Sequence, residues 1–265
     1  MEAAFFDLDK TVIARASMLA FGRPLHRAGY ISRWLALRAL VGQLVYRAFG
    51  AGDSRMEKMR NASLRMAAGW QRDTVQKLVR DTLTEVIEPL VYGEAVDLIA
   101  EHHRAGRRVF LVSSSPEEIV VPLADHLGVD EVIATRAAID DDGRYTGEVE
   151  FYAYGPHKAE AMREVAARSG IDLERSFAYS DSVTDVPMLE AVGHAVAVNP
   201  DRELRRVALA RGWEIRRFER PVALQRRVSA RRAVPAAVAV GAVLLVAAVA
   251  VGWWWRRPKP TPPRS

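Results

Sequence analysis

Three apolar runs in this chain stop at residues that could handle a phosphoryl group. Ala3-Ala4-Phe5-Phe6 stops at Asp7-Leu8-Asp9-Lys10-Thr11. Val109-Phe110-Leu111-Val112 stops at Ser113-Ser114-Ser115, and Phe177-Ala178-Tyr179 stops at Ser180-Asp181-Ser182-Val183-Thr184-Asp185. Lys158 opens a helical pattern between the second and third runs. A phosphoryl group is anionic, so its charge must be offset as a nucleophile approaches. Asp7 can supply the attacking oxygen and an oxygen to a metal ion. Asp9, two residues on, can protonate the leaving oxygen and then activate water. Ser113 offers a hydroxyl and neighbouring amides, Ser114 included, to phosphate oxygens; as the first serine after its run it takes that role ahead of Ser114. Lys158 offers a compact positive charge. Asp181 reads as a metal ligand, and Asp185 as the group that orients either metal-bound water or Lys158. Hard oxygen ligands with a substrate phosphate suit Mg²⁺.

These residues meet only if the runs are strands of one sheet. Short continuous apolar runs suit strands buried on both faces of a parallel sheet. Ala195-Val196-Ala197-Val198 is a fourth such run. Helical patterns lie between them, near 93–104, 117–127, 157–169 and 185–192, each followed by a glycine (Gly106, Gly128, Gly170, Gly193) suited to a C-cap. Alternation of this kind predicts a doubly wound α/β fold. In an open parallel sheet the ligand site lies at the carboxyl ends of the strands, where the motifs above fall. Residues 14–90 break the alternation, with helical patterns at Ile31 to Phe49 and Thr74 to Ile87 around a turn at Gly50-Ala51-Gly52-Asp53. They read as a helical insert after the first strand. Asp140-Asp141-Asp142-Gly143, flanked by extended sequence, predicts a hairpin over 139–151.

With the motifs in place, the chain resembles the haloacid dehalogenase-like superfamily. Phe6-Asp7-Leu8-Asp9-Lys10-Thr11 resembles its first motif, Ser113 its second, Lys158 its third, and Ser180-Asp181-Ser182-Val183-Thr184-Asp185 its fourth. The insert resembles the cap of the phosphoserine phosphatase-like branch. The resemblance implies a Rossmann-like core, Mg²⁺ as cofactor, a phosphoenzyme on Asp7, and a main-chain carbonyl of Asp9 on the metal. Three positions depart from that branch. Lys10 stands where serine is usual, and Ser114-Ser115 stand where glycines follow the second-motif serine. The implied activity is therefore phosphomonoester hydrolysis, on a phosphoserine-like or a lysophosphatidate-like substrate. Phosphotransfer to an alcohol and a tethered Mg²⁺- and phosphate-binding regulator of little turnover are the alternatives.

Charge separates the two ends of the chain. The whole carries a formal +5. Residues 211–265 hold twelve Lys and Arg against two Glu, whereas residues 1–210 hold 26 against 31 acidic residues, a net −5. Basicity in a tail beside an apolar segment points to a membrane surface rather than to nucleic acid. Ala233 to Trp255 is 23 residues without a charge. At about 1.5 Å per residue such a helix crosses a hydrocarbon core of ~30 Å. Trp253-Trp254-Trp255 at one end suits an interfacial belt, and arginines flank both sides. The expected organisation is a core of residues 1–13 and 91–210, a cap of 14–90, a basic linker of 211–232, a transmembrane helix of 233–255 and a disordered Pro-rich tail of 256–265. No secretory leader is expected at the N-terminus, which would leave the catalytic part in the cytosol beneath a single-pass C-terminal anchor.

The absence of cysteine excludes disulfides, thiolate metal sites and a cysteine nucleophile. No histidine pair has zinc spacing. His102 and His103 fall near a helix end, where a charged ring would suit the dipole, and His157 reads as a capping or surface residue. Arg33, Arg38 and Arg47 lie among Leu, Val, Trp and Tyr in the insert. That composition suits a packed cap with snorkelling arginines, and beside a tether it also suits a lipid-like phosphate.

Overall fold

The computed structural model describes residues 1–30 and 65–220. The expected helix at Ile31 to Phe49, the turn at Gly50 to Asp53, Arg33, Arg38 and Arg47 and the apolar stretch 233–255 all lie outside the described residues. Among those described, no helix is long and apolar enough to cross a membrane.

The chain forms strands β1 (Ala3–Phe6), β2 (Arg108–Pro116), β3 (Glu131–Ile139), β4 (Tyr145–Phe151), β5 (Phe177–Ser180), β6 (His194–Val198) and β7 (Glu214–Arg216). They build one sheet of order β4-β3-β2-β1-β5-β6-β7. All pairings are parallel except that of β3 with the edge strand β4. β1 lies between β2 and β5, with Phe6 opposite Leu111 on one side and Tyr179 on the other. Its four residues are fully buried. Successive side chains of a strand face opposite sides. Ala4 and Phe6 join Val109 and Leu111 in one apolar cluster, while Ala3 and Phe5 join Phe110 and Val112 in another.

Eight α-helices cover these faces: α1 (Ser17–Ala20), α2 (Gly22–Arg27), α3 (Arg72–Val86), α4 (Gly93–Arg104), α5 (Glu117–Leu127), α6 (Pro156–Ser169), α7 (Val186–Glu190) and α8 (Arg202–Arg211) among the described residues. α3, α4 and α5 bury Val79, Leu83, Leu98, Ile99, Val120 and Leu123 in the first cluster. α6, α7 and α8 bury Met162, Met188, Leu189 and Leu204 in the second. Helices on both faces of a parallel sheet give the doubly wound α/β arrangement. The chain leaves β4, passes through α6 and resumes at β5 on the far side of β1. That reversal opens a crevice at the carboxyl end of β1.

The hairpin expected over 139–151 forms between β3 and β4, and its turn has a second use. Arg72 and Gly69 donate main-chain N–H to the carbonyls of Gly143 and Tyr145, and Tyr145 N–H donates to Trp70. Arg72 also pairs with Glu117 and Glu118 at the start of α5, and Glu118 is buried. The start of α3 is thus fastened to the core beside the end of β2.

Two local expectations change. Gly106, Gly128 and Gly170 have the left-handed φ values of 72°, 70° and 64° that a helix end favours. Gly193 does not; a Cβ there would run into the carbonyl of Glu174, so close backbone approach is what demands glycine. His102 does not offer a charge to a helix dipole. Its ring is buried against Phe6, Phe177 and Tyr179, with Nε2 2.8 Å from the Tyr179 hydroxyl. Nδ1 has no hydrogen-bond partner. Burial first, then nearby Arg107, pulls the pKa down to about 4.

A depressed pKa in the folded state links His102 to acid stability. Its contribution is complete above the unfolded value of about 6.5 and is lost as pH falls toward the folded value. The full effect is up to about 3 kcal/mol. Urea unfolding at pH 7.5 and pH 4.5 should show the wild type losing about 2 kcal/mol more than His102→Gln. Equal losses in the two proteins would remove His102 from the acid response.

Candidate active site

Asp7 follows β1 directly, and its N–H continues the ladder by donating to the Tyr179 carbonyl at 2.9 Å. The side chain is held at both oxygens. Lys158 Nζ donates to Oδ1 at 2.7 Å, and Thr11 Oγ1 donates to Oδ2 at 3.2 Å. Lys158 reaches Asp7 because α6 starts at Pro156, after Gly155 turns the chain with φ +55°. Its Nζ also donates to Asp185 Oδ2 at 2.8 Å, and the same oxygen accepts from Ser180 Oγ at 2.7 Å. Of the two groups its spacing offered it, Asp185 touches Lys158. One buried chain of contacts runs Asp7–Lys158–Asp185–Ser180, from the end of β1 through α6 to the end of β5.

The electrostatics follow from burial. Burial weakens Lys158 as a cation, but Asp185 and Asp7 more than compensate and hold it charged above the usual lysine range. Burial pushes Asp7 well above the usual carboxylate range; Lys158 opposes this, while Asp185 and Asp181 add to it. Asp181 is buried too, and its pKa also rises, through burial first and then through Asp185 and Asp201, against Lys10. Lys10 is exposed, with φ +66° and Nζ 3.5 Å from Asp181 Oδ2. Asp201 caps α8 and its N–H donates to the Asp181 carbonyl at 2.8 Å, which fixes the loop after β5.

Asp9 points another way. Oδ1 accepts from Ser17 N–H at 2.8 Å, and Oδ2 accepts from Ser115 Oγ at 3.1 Å. Ser113, buried at the end of the apolar part of β2, accepts from Ser115 N–H at 3.1 Å. Ser114 is partly buried, and its carbonyl accepts from Thr135 Oγ1 at 2.8 Å. So Asp7, Lys158 and Asp185 touch, Asp181 acts on them through space, and Asp9 joins Ser113 through Ser115. Ser17, Thr11, Ser115 and Ser180 were not assigned roles from sequence. Thr11, Ser115 and Ser180 sit inside the motifs, so their positions carried a signal. Ser17 carried none.

A divalent cation fits this donor set. Among the described residues no three acidic or histidine side chains form a metal cage. The resemblance to the haloacid dehalogenase-like superfamily implies that Asp9 would add its main-chain carbonyl. Two buried carboxylates, Asp7 and Asp181, with one carbonyl suit an ion that keeps water and takes substrate phosphate as further ligands. Ionised, Asp7, Asp9, Asp181 and Asp185 outnumber Lys10 and Lys158 by two charges, so a phosphate dianion needs added positive charge to enter.

Residues 4–190 match the haloacid dehalogenase-like hydrolase family, and the chain belongs to it. It is a phosphatase of that family. A probable phosphatase of Mycobacterium tuberculosis (strain H37Rv) is 49% identical over 250 residues, 94% of this chain and 86% of that protein. A phosphoserine phosphatase of the same organism is 37% identical over 244 residues, covering 91% and 77%. A Streptomyces azureus protein named for inhibition of morphological differentiation is 52% identical over 255 residues, covering 96% and 92%. Among solved structures, a Bordetella pertussis protein of unknown function aligns with a TM-score of 0.71 at 31% identity, over 81% of this chain and 97% of that one.

Removing the Lys158 ammonium would leave the two buried carboxyl groups that flank it without their cation. Lys158→Met should unfold in urea with about 3–5 kcal/mol less stability at pH 8. The deficit should shrink at pH 5, because Asp7, whose carboxyl burial already pushes up, then takes a proton that offsets the missing ammonium. A deficit unchanged between the two pH values would mean the lysine's packing, not its charge, holds the site together.

Proposed function

We propose that the chain is a magnesium-dependent phosphomonoester hydrolase working through a phosphoaspartate on Asp7. The observation that carries this reading is the buried Asp7 carboxylate at a strand end, 2.7 Å from the Lys158 ammonium. An Asp7 oxygen attacks phosphorus while the bond to the leaving oxygen breaks, and Asp9 gives that oxygen a proton. Asp9 then takes a proton from water as the water attacks phosphorus, and the bond to Asp7 breaks to release phosphate. Ser113, with the amides after it, holds the phosphate oxygens, and Ser114 edges the same pocket. Lys158 offsets their charge and is itself aimed by Asp185. Magnesium held by Asp7, Asp181 and the Asp9 carbonyl would supply the remaining positive charge and align the phosphate.

The substrate proposed is a small or lipid-like phosphomonoester, of phosphoserine or lysophosphatidate type. A relative named a phosphoserine phosphatase supports the first. Lys10 and Ser114-Ser115, which change the pocket edge, support looking beyond it. Phosphate release from a panel of phosphomonoesters should require Mg²⁺, and Asp7→Asn should reduce it at least about a thousandfold. Turnover persisting in Asp7→Asn would refute the nucleophile. A wild type inactive across a broad panel would favour a binding role.

The uncharged stretch 233–255, between basic flanks, supports a single-pass anchor in the cell membrane with the catalytic part in the cytosol. The full chain should stay with membranes through alkaline carbonate washing, and a chain ending at residue 232 should be released. Release of both would remove the anchor.

A further inference from the structure

Asp9 is gripped by two serines that lie on different elements. Ser17, the first residue of α1, is fully buried; Ser115, near the end of β2, is 4% exposed. Ser17 N–H donates to Asp9 Oδ1 at 2.8 Å and Ser115 Oγ donates to Oδ2 at 3.1 Å. The two hydroxyls are themselves 2.7 Å apart. Ser115 N–H turns to Ser113 Oγ. A carboxyl bonded at both oxygens from two directions has its plane and its rotation about Cβ set. Neither serine faces Asp7, Lys158 or Asp181 through any of these bonds.

We propose that Ser17 and Ser115 are positioning residues that aim the Asp9 carboxyl at the leaving-group oxygen. The proposal rests on the reading of Asp9 as acid and base. Acid catalysis of this kind demands that the proton donor stand within hydrogen-bond reach of the leaving oxygen. A side chain free to rotate would spend most of its time elsewhere. The clasp holds it, and ties it to the serine proposed to bind phosphate, so that the phosphate and the acid keep a fixed relation. Ser115 stands where the resembling motif has glycine, which has no hydroxyl to give. Ser17 begins α1, close after the first strand, so the path of the chain away from that strand also bears on the acid.

The test exploits leaving groups. An alkyl phosphomonoester such as glycerol phosphate needs its leaving oxygen protonated, whereas p-nitrophenyl phosphate barely does. Ser115→Ala should lower kcat/KM, which reports transfer of the phosphoryl group to Asp7 and not the hydrolysis step common to both substrates, by about tenfold or more for glycerol phosphate and by less than about threefold for p-nitrophenyl phosphate. Ser17→Ala keeps the N–H bond to Oδ1 and should cost the alkyl substrate about threefold. The double variant should fall within about twofold of Ser115→Ala, because the hydroxyls act as one unit. Ser115→Thr, which restores a hydroxyl, should recover most of the alkyl activity, and it is the variant to use should Ser115→Ala not fold. Equal losses on both substrates, or no loss on either, would overturn the clasp as a positioning device. Asp9→Asn, run beside them, separates the two claims. If it too spares neither substrate preferentially, the acid role of Asp9 is what fails; if it selectively loses the alkyl substrate while the serine variants do not, the clasp alone fails.

Discussion

Lys158, sealed between Asp7 and Asp185, is the constraint around which the rest of the molecule is arranged. Three ionisable groups with almost no solvent contact are costly to bury unless each finds a partner at hydrogen-bond distance. The partners come from places 151 and 27 residues apart in sequence. No local structure could bring them together. A parallel sheet with β1 at its centre does, because strands on either side of β1 all end on one side of the molecule. The apolar burial of Phe5, Phe6, Phe110 and Tyr179 on the two faces offsets the cost of that polar junction.

The polar side of the site is divided between two systems that do not share side chains. Asp7, Lys158, Asp185 and Ser180 form a buried charged chain. Asp9, Ser17, Ser115 and Ser113 form a hydroxyl chain. In the proposed reaction that separation is useful: a nucleophile needs to be ionised and fixed, whereas a proton donor needs surroundings that tolerate both of its states. Burial raises the pKa of Asp9, while bonds from Ser17 and Ser115 pull it back. The neighbouring attachment of Arg72 to Glu117 and Glu118, with the β3–β4 turn gripping residues 69–72, holds the start of α3 beside the strand end that carries Ser113. The end of β2, the start of α1 and the start of α3 are thus joined within a few residues of Ser113.

Much of the core was legible because its signals are local. Runs such as Ala3 to Phe6 and Val109 to Val112 are too short and too apolar to be anything but buried strands, and the helix ends near Gly128 and Gly170 carry residues that tolerate a left-handed backbone. Three elements left weaker marks. β3 carries Arg136 among its apolar residues, because its later part pairs only with the edge strand β4. β7 has three residues, two of them charged, at the far edge of the sheet. α8 buries only Leu204 and Ala208, so its surface is mostly arginine and its apolar period is faint. Gly193 misled for a different reason. A glycine after a helix suggests a cap, and only the approach of Glu174 shows why this one has no side chain.

For the site, residue types and order mark Asp7, Asp9, Ser113, Lys158, Asp181 and Asp185 as candidates, because phosphoryl chemistry calls for carboxylates and a cation at strand ends. Sequence could not decide where each carboxylate points. It left Asp185 between two roles, and the tertiary structure directs it at Lys158. It treated His102 as a residue near a helix end, and packing made it a neutral ring under β1. It gave no reason to notice Ser17, whose contact with Asp9 and Ser115 arises from the path of the chain into α1. Composition and periodicity specify which residues must be buried or charged. Only the folded backbone sets the distances of a few ångströms over which hydrogen bonds and ion pairs act.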